Sequence, residues 1–120
     1  MDEKRYKAMI HEEICTYEVA KLAKEKGFNA PTDFCYEQSG CLVRCGSIAA
    51  PTQSLLQRWL REEKKWNIVV RMYENEGYYW FIQNSKGELQ ESYFTYADEM
   101  FATYELALED ALKYALKKLV

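Results

Sequence analysis

The sequence predicts an α+β fold: a three-stranded antiparallel meander plus an N-terminal hairpin, with about three helices packed on the sheet. Between residues 67 and 96 apolar residues alternate with a period of two and are interrupted by short turns, as in a β-meander. On both sides of this stretch they recur with helical spacing, each time after a threonine. The 120 residues suit one domain. We expect residues 1–14 to be a partly ordered lead-in and residues 15–120 to form a single domain.

The first predicted helix spans residues 17–26. Thr16 is a typical N-cap, because its hydroxyl can accept a hydrogen bond from a free backbone amide of the first turn. Gly27 followed by Phe28 is typical of a left-handed C-cap with its hydrophobic contact. These features predict where the helix begins and where it ends.

A short hairpin follows, since residues 33–37 and 41–45 flank the turn formed by residues 38–40. Residues 46–51 are predicted to be a loop. In this hairpin Glu37 would oppose Cys41. This register determines which cysteines share a face of the hairpin.

The four cysteines suggest a zinc site at first. Cys35 opposite Val43 would place Cys35, Cys41 and Cys45 on one face of the hairpin. However, Cys41 and Cys45 would lie roughly 13 Å apart along one strand, whereas zinc needs sulfurs about 2.3 Å from one point. We therefore predict no metal and interpret the cysteines as reduced, buried structural thiols.

The second predicted helix spans residues 53–64, with Thr52 as its N-cap. At 100° per residue, its apolar residues fill one sector and its polar residues fill the opposite, exposed one. The apolar set is Leu55, Leu56, Trp59 and Leu60. The polar set is Gln53, Ser54, Gln57, Arg58 and Arg61. We expect Trp59 to anchor this helix into the sheet.

The meander is predicted from strands at 67–73, 78–83 and 88–96, joined by turns at 74–77 and 84–87. After it, Thr103 is a typical N-cap for a last helix over residues 104–119. The apolar residues of that helix form one stripe, which can cover one face of the sheet.

Both faces of the meander are apolar. Ile68, Val70 and Met72 point one way, and Val69 and Tyr73 point the other; likewise Tyr78, Trp80 and Ile82 oppose Tyr79 and Phe81. Helices can cover only one face, so the other requires the N-terminal hairpin or a second subunit. We therefore expect a homo-oligomer or a protein partner, with Trp80, Phe81 and Tyr79 as interaction candidates, in that contact or in the core.

A nucleic-acid-binding regulator is the alternative, using the basic face of helix 53–64. Arg58 and Arg61, with Lys64 and Lys65, are its candidate residues. The charge balance disfavours it: the net charge is −3, and basic excess is usual for this class. Base stacking on the meander aromatics is also disfavoured, because Arg71 is the single cation in its strands.

Catalysis, cofactors and membrane insertion are not expected. His11 is the one histidine, and it lies in the polar lead-in rather than beside a nucleophile on a rigid element. No glycine-rich loop joins a strand to a helix. No apolar run approaches the roughly 18 residues of a membrane span, and the first residues lack a signal-peptide core. We predict a cytoplasmic protein that is not an enzyme and has no cofactor.

Three segments resemble a family of small uncharacterised proteins from prophages and mobile elements of Bacteroides-type gut bacteria. They are AKLAKEKGF (20–28), APTQSLLQRWLRE (50–62) and YELALEDALKYAL (104–116). The resemblance implies a phage or mobile-element accessory protein and supplies no functional residue. Three strands followed by a threonine-capped helix are also similar to the half-sheet domain of HicB-type antitoxins, a likeness of fold alone.

Overall fold

The computed structural model describes residues 12–44, 46–93 and 100–120, and these form an α+β fold with two antiparallel sheets. The predicted fold class is confirmed. The helices are α1 (Tyr17–Glu25), α2 (Gln53–Glu63) and α3 (Tyr104–Tyr114), and α3 continues as a π-helical turn (Ala115–Leu119). The strands are β1 (Phe34–Tyr36), β2 (Leu42–Val43), β3 (Ile48–Ala50), β4 (Asn67–Tyr73), β5 (Gly77–Gln83) and β6 (Leu89–Ser92).

All three predicted N-caps are confirmed. Each threonine has an extended backbone, and its side-chain oxygen accepts a hydrogen bond from the amide three residues later, which satisfies one donor of the first turn. The bonds join Val19 to Thr16 (3.3 Å), Leu55 to Thr52 (3.2 Å) and Leu106 to Thr103 (3.1 Å).

The C-cap of α1 is confirmed as well. Gly27 has a φ of +98°, a left-handed conformation that costs glycine little. The amide of Phe28 donates to the carbonyl of Ala23 at 2.9 Å, and the amide of Gly27 donates to that of Lys24 at 3.1 Å. These are the two bonds of a Schellman motif, and the Phe28 side chain is buried beside them.

The first sheet has the strand order β2-β1-β3. Its hairpin has the predicted register, with Cys35 opposite Val43 and the Glu37 amide bonded to the Cys41 carbonyl at 2.9 Å. The predicted loop over 46–51 is wrong, because β3 lies within it and pairs with β1. The residues of β3, Ile48 to Ala50, are all apolar, so no alternation of apolar and polar residues indicates a strand there.

The second sheet is the predicted meander, with the order β4-β5-β6. Strand β4 has the predicted bounds, and Val70 pairs with Trp80 in the middle of the β4–β5 hairpin. The third strand ends at Ser92, and residues 94–96 of its predicted range lie outside the described residues. A single β-bridge from Tyr78 to Phe101 continues the β6 side of the sheet.

The hydrophobic core lies between the meander and the helices. Helix α3 packs across β4 and β5, α2 packs against β4 and α3, and α1 packs against α3 and β3. The largest fully buried side chains of this core include Leu56, Leu60, Ile82, Leu112 and Leu116.

Two expectations for α2 are wrong. Gln53 was assigned to the exposed face, but it is 4% exposed. Trp59 was expected to anchor the helix into the sheet, but its ring packs edge-on against Phe28, with centroids 5.5 Å apart, at the end of α1. The residues that bury α2 in the core are Leu56 and Leu60.

The segment before α1 runs alongside the start of α2. Ile14 and Thr52 form a β-bridge, the Gln53 amide donates to the Glu13 carbonyl at 2.8 Å, and the Cys15 amide donates to the carbonyl before Thr52 at 2.9 Å. Glu13 and Ile14, which belong to the predicted lead-in, therefore make backbone contacts to the domain. The His11 prediction lies outside the described residues.

Candidate functional site

The inner face of the meander is part of the core. Trp80 is 3% exposed and Ile82 is fully buried, both under α3. The indole nitrogen of Trp80 donates to the Asp110 carboxylate at 2.9 Å, so the one polar atom of the side chain has a partner inside the protein. Trp80, an interaction candidate from the sequence, is therefore a core residue, which was one of the two roles expected for it.

The opposite side of the meander carries what we call the outer sheet face. Its residues are Val69, Arg71, Tyr73, Tyr79 and Phe81, which pairing of β4 with β5 places on one side of the sheet. Arg71 and Tyr73 are exposed, and the other three are half-buried. Two of the candidates predicted from sequence, Tyr79 and Phe81, thus lie together.

The side chains of the outer sheet face contact one another. Tyr73 meets Tyr79 edge-on with centroids 6.4 Å apart, and Tyr79 lies 6.3 Å from Phe81. The Arg71 guanidinium carbon lies 5.4 Å from the Phe81 centroid, within range of a cation–π contact. These contacts form an aromatic surface with the Arg71 guanidinium over the Phe81 ring. The surface can offer a ligand both apolar area and a charged hydrogen-bond donor.

The described helices do not pack on the outer sheet face. Helices α2 and α3 pack on the inner side of β4 and β5, and the first sheet packs against α1 through β3. Among the described residues no extensive contact joins the two sheets. The N-terminal hairpin, one of the two expected covers, is therefore placed against α1 rather than over the outer sheet face.

Strand β4 is an edge of the meander within the described residues. The amide and the carbonyl of Tyr78 both bond to Phe101, on the side away from β4, at 2.9 and 2.8 Å. Tyr78 opposite Met72 is therefore a non-hydrogen-bonded pair, and the amide and carbonyl of Met72 point away from β5. By alternation those of Val70 and Ile68 point the same way. The Gln57 side chain indeed reaches the Ile68 carbonyl from that side, at 2.9 Å.

The basic residues of α2 lie away from the outer sheet face, because the helix packs on the opposite side of the sheet. Arg58 and Arg61 are both exposed, as predicted. Arg58 is paired with Glu62 one turn later at 3.1 Å. Lys64 lies over the Trp59 ring, 5.3 Å from its centroid. An acidic partner on the same helix reduces the field that Arg58 could offer to phosphates, which weakens the nucleic-acid alternative.

A surface groove with a volume of about 630 Å³ runs between α2 and the segment after α1. Arg58, Trp59, Glu62 and Lys64 are among its lining residues. Along this groove Arg58 pairs with Glu62, and Lys64 lies over the Trp59 ring. Among the described residues that line it, no serine, threonine or cysteine lies beside a base.

The cysteines do not share one environment. Cys15 is fully buried, as expected, and burial raises the pKa of its thiol. Cys35 is half-buried, and Cys41 is exposed beside the hairpin turn, so the prediction of a buried thiol is wrong for Cys41. Cys45 lies outside the described residues. Within the described ranges, no group of three or more His, Cys, Asp or Glu residues is placed to hold a metal ion.

A polar junction that was not predicted joins the three helices. The Glu109 carboxylate accepts hydrogen bonds from the amide and the hydroxyl of Thr16 at 2.9 and 2.8 Å, and from the Gln53 side chain at 2.9 Å. Gln53 also donates to the Glu105 carbonyl at 2.8 Å. The start of α1 and the start of α2 are thereby fixed to α3. The junction is structural. The only sign of it in the sequence is that Gln53 directly follows the N-cap residue Thr52.

The chain matches no protein-family model, no curated protein and no solved structure. None of the helices in the described part of the chain is long and apolar enough to cross a membrane.

Proposed function

We propose that this protein is a small, non-enzymatic interaction module that binds a protein, either a partner or a second copy of itself, through the outer sheet face. Its sequence resemblance supports a cytoplasmic accessory protein of a phage or mobile element. The observation that carries the proposal is the outer sheet face, where Arg71 lies over the ring of Phe81 beside Tyr79, while the described helices pack on the other side of the sheet.

The composition of this surface is that of a protein contact. Tyrosine and arginine are enriched among the residues that dominate binding free energies, and phenylalanine is enriched at interfaces. Tyr79 and Phe81 are already ordered by contacts with their neighbours, so binding would lose little side-chain entropy. The surface has one cation, Arg71, which suits a partner with an acidic group next to an apolar one.

Site-specific photocrosslinking tests the proposal. A benzophenone amino acid replaces Tyr79 on the outer sheet face, and in a matched control it replaces Leu106, which is 55% exposed on α3. In cells producing the protein, we expect a discrete protein adduct from position 79 and none from position 106. Adding Phe81→Ser should remove the adduct, because the apolar contact is lost.

Two results would count against this function. One is the same set of adducts from both positions, which would indicate random collision. The other is an adduct from position 79 that is unchanged by Phe81→Ser in a protein that still unfolds cooperatively.

A further inference from the structure

We propose that two copies of this chain associate by antiparallel pairing of β4 with β4 around a two-fold axis at Val70. The two meanders would become one six-stranded sheet with the outer sheet faces side by side. The inference goes beyond the proposed function, because this pairing lies at the edge of the sheet and does not cover either outer sheet face.

The area of the outer sheet face is the first argument. The outer sheet face lies on two strands of 7 residues each, which cover about 23 by 10 Å, or roughly 230 Å². A stable interface needs about 800 Å² from each partner. Stacking two such faces would therefore give only a weak contact, whereas pairing at an edge is held by main-chain hydrogen bonds.

The backbone of β4 provides those hydrogen bonds. The amides and carbonyls of Ile68, Val70 and Met72 point away from β5, as the Tyr78–Phe101 and Gln57–Ile68 bonds establish. Gln57 uses one lone pair of the Ile68 carbonyl and leaves the second for another donor.

The register follows from full overlap of the strand with itself. Centring the pair on Val70 aligns Asn67–Tyr73 with its symmetry copy along its whole length and places Ile68 opposite Met72 of the second copy. Arg71 then lies opposite Val69 of the second copy. Moving the centre to Arg71 would bring two guanidinium groups face to face, which is unfavourable. Moving it to Val69 would shorten the overlap.

Charge complementarity supports the same register. With Val70 on the axis, the acidic turn that contains Glu74 and Glu76 lies beside the segment that contains Lys64 and Lys65 of the second copy. All four side chains are exposed, and the symmetry produces this contact twice. An antiparallel pair with a basic segment before the strand and an acidic turn after it is therefore self-complementary.

Light scattering and sedimentation on the full chain test the inference, with a proline variant as the first probe. Wild type should form a dimer as concentration rises. Met72→Pro removes an amide hydrogen that points out of the monomer, so the fold should persist, but two bonds of the symmetric pair are lost. Dimerisation should weaken by about tenfold or more. Met72→Ala keeps the amide and is the matched control, which should still dimerise.

A charge exchange provides a second test that does not depend on tolerance of proline. Glu74→Lys with Glu76→Lys, and separately Lys64→Glu with Lys65→Glu, should each weaken self-association, because like charges then meet across both symmetric contacts. An equimolar mixture should restore it, since each variant is complementary to the other.

Either of two outcomes overturns the inference: unchanged dimerisation of Met72→Pro, or a mixture that associates no better than its components. A wild type that stays monomeric at every concentration overturns it as well. The proposed function is tested separately, since crosslinking to a different protein at position 79 would still support it, whereas loss of specific crosslinking with an intact β4 dimer would refute the outer sheet face alone.

Discussion

Replacing Glu109 by glutamine should destabilise the protein nearly as much as replacing it by alanine. The carboxylate accepts three hydrogen bonds, two from Thr16 and one from Gln53. A glutamine of the same size has one acceptor oxygen, so its amide group must face donors either on Thr16 or on Gln53. The substitution keeps the shape of the side chain and removes one of its two hydrogen-bond acceptor oxygens.

The magnitude follows from the surroundings of each bond. Thr16 is exposed, so water can replace its partner, whereas Gln53 is 4% exposed and would lose one bond while keeping that to the Glu105 carbonyl. Hydrogen bonds to charged groups contribute about 1.5–3 kcal/mol each. We expect both Glu109→Gln and Glu109→Ala to lower the free energy of unfolding by about 2–3 kcal/mol.

Urea denaturation followed by circular dichroism measures this change, with m-values compared to confirm that the unfolded state is the same. A double-mutant cycle with Gln53→Ala should give a coupling free energy of about 1 kcal/mol between the two side chains. Wild-type stability in Glu109→Gln would refute the reasoning, because size rather than acceptor capacity would then be what the junction requires.

Three further changes have defined outcomes. Gly77→Ala should lower the free energy of unfolding by about 2 kcal/mol or more, because its new Cβ would lie 2.5 Å from the Phe101 carbonyl oxygen; Gly87→Ala, with a similarly positive φ and open space, should cost only about 1 kcal/mol in the same urea titration. Trp80→Phe should cost about 2 kcal/mol, from a lost hydrogen bond and a smaller ring, and an unchanged denaturation midpoint would contradict its core role. Burial raises the pKa of the Cys15 thiol, so its contribution to stability is complete below the pKa of the unfolded state, near 9.0, and declines as pH rises above that value. Cys15→Ala should therefore flatten the alkaline decline of the denaturation midpoint. An equal slope in the variant and the wild type would contradict this reasoning.

Features that depend on neighbouring residues were predicted well. The three threonine caps and the Gly27 C-cap each involve atoms within about five residues. The bounds of β4 follow from the alternation of its residues up to a short turn. Such interactions are local, so the sequence carries them directly.

Features that depend on distant residues were missed. Gln53 is buried because Glu105 and Glu109, more than fifty positions later, supply its hydrogen-bond partners. Strand β3 exists because β1 is already paired on its other side and offers a free edge. Neither requirement leaves a periodic signal at the residues concerned.

For the candidate site, the sequence by itself determined that Trp80 faces away from Tyr79 and Phe81, since side chains alternate along a strand. Only the tertiary structure decided which side the helices cover: α3 lies over Trp80, where Asp110 receives its indole hydrogen bond, and the outer sheet face is left to Tyr79, Phe81 and Arg71. Likewise, only the Tyr78–Phe101 bridge shows which amides and carbonyls of β4 point away from β5. Alternation separates two faces, but the choice between them depends on which long-range packing buries more apolar area and satisfies the polar atoms it encloses.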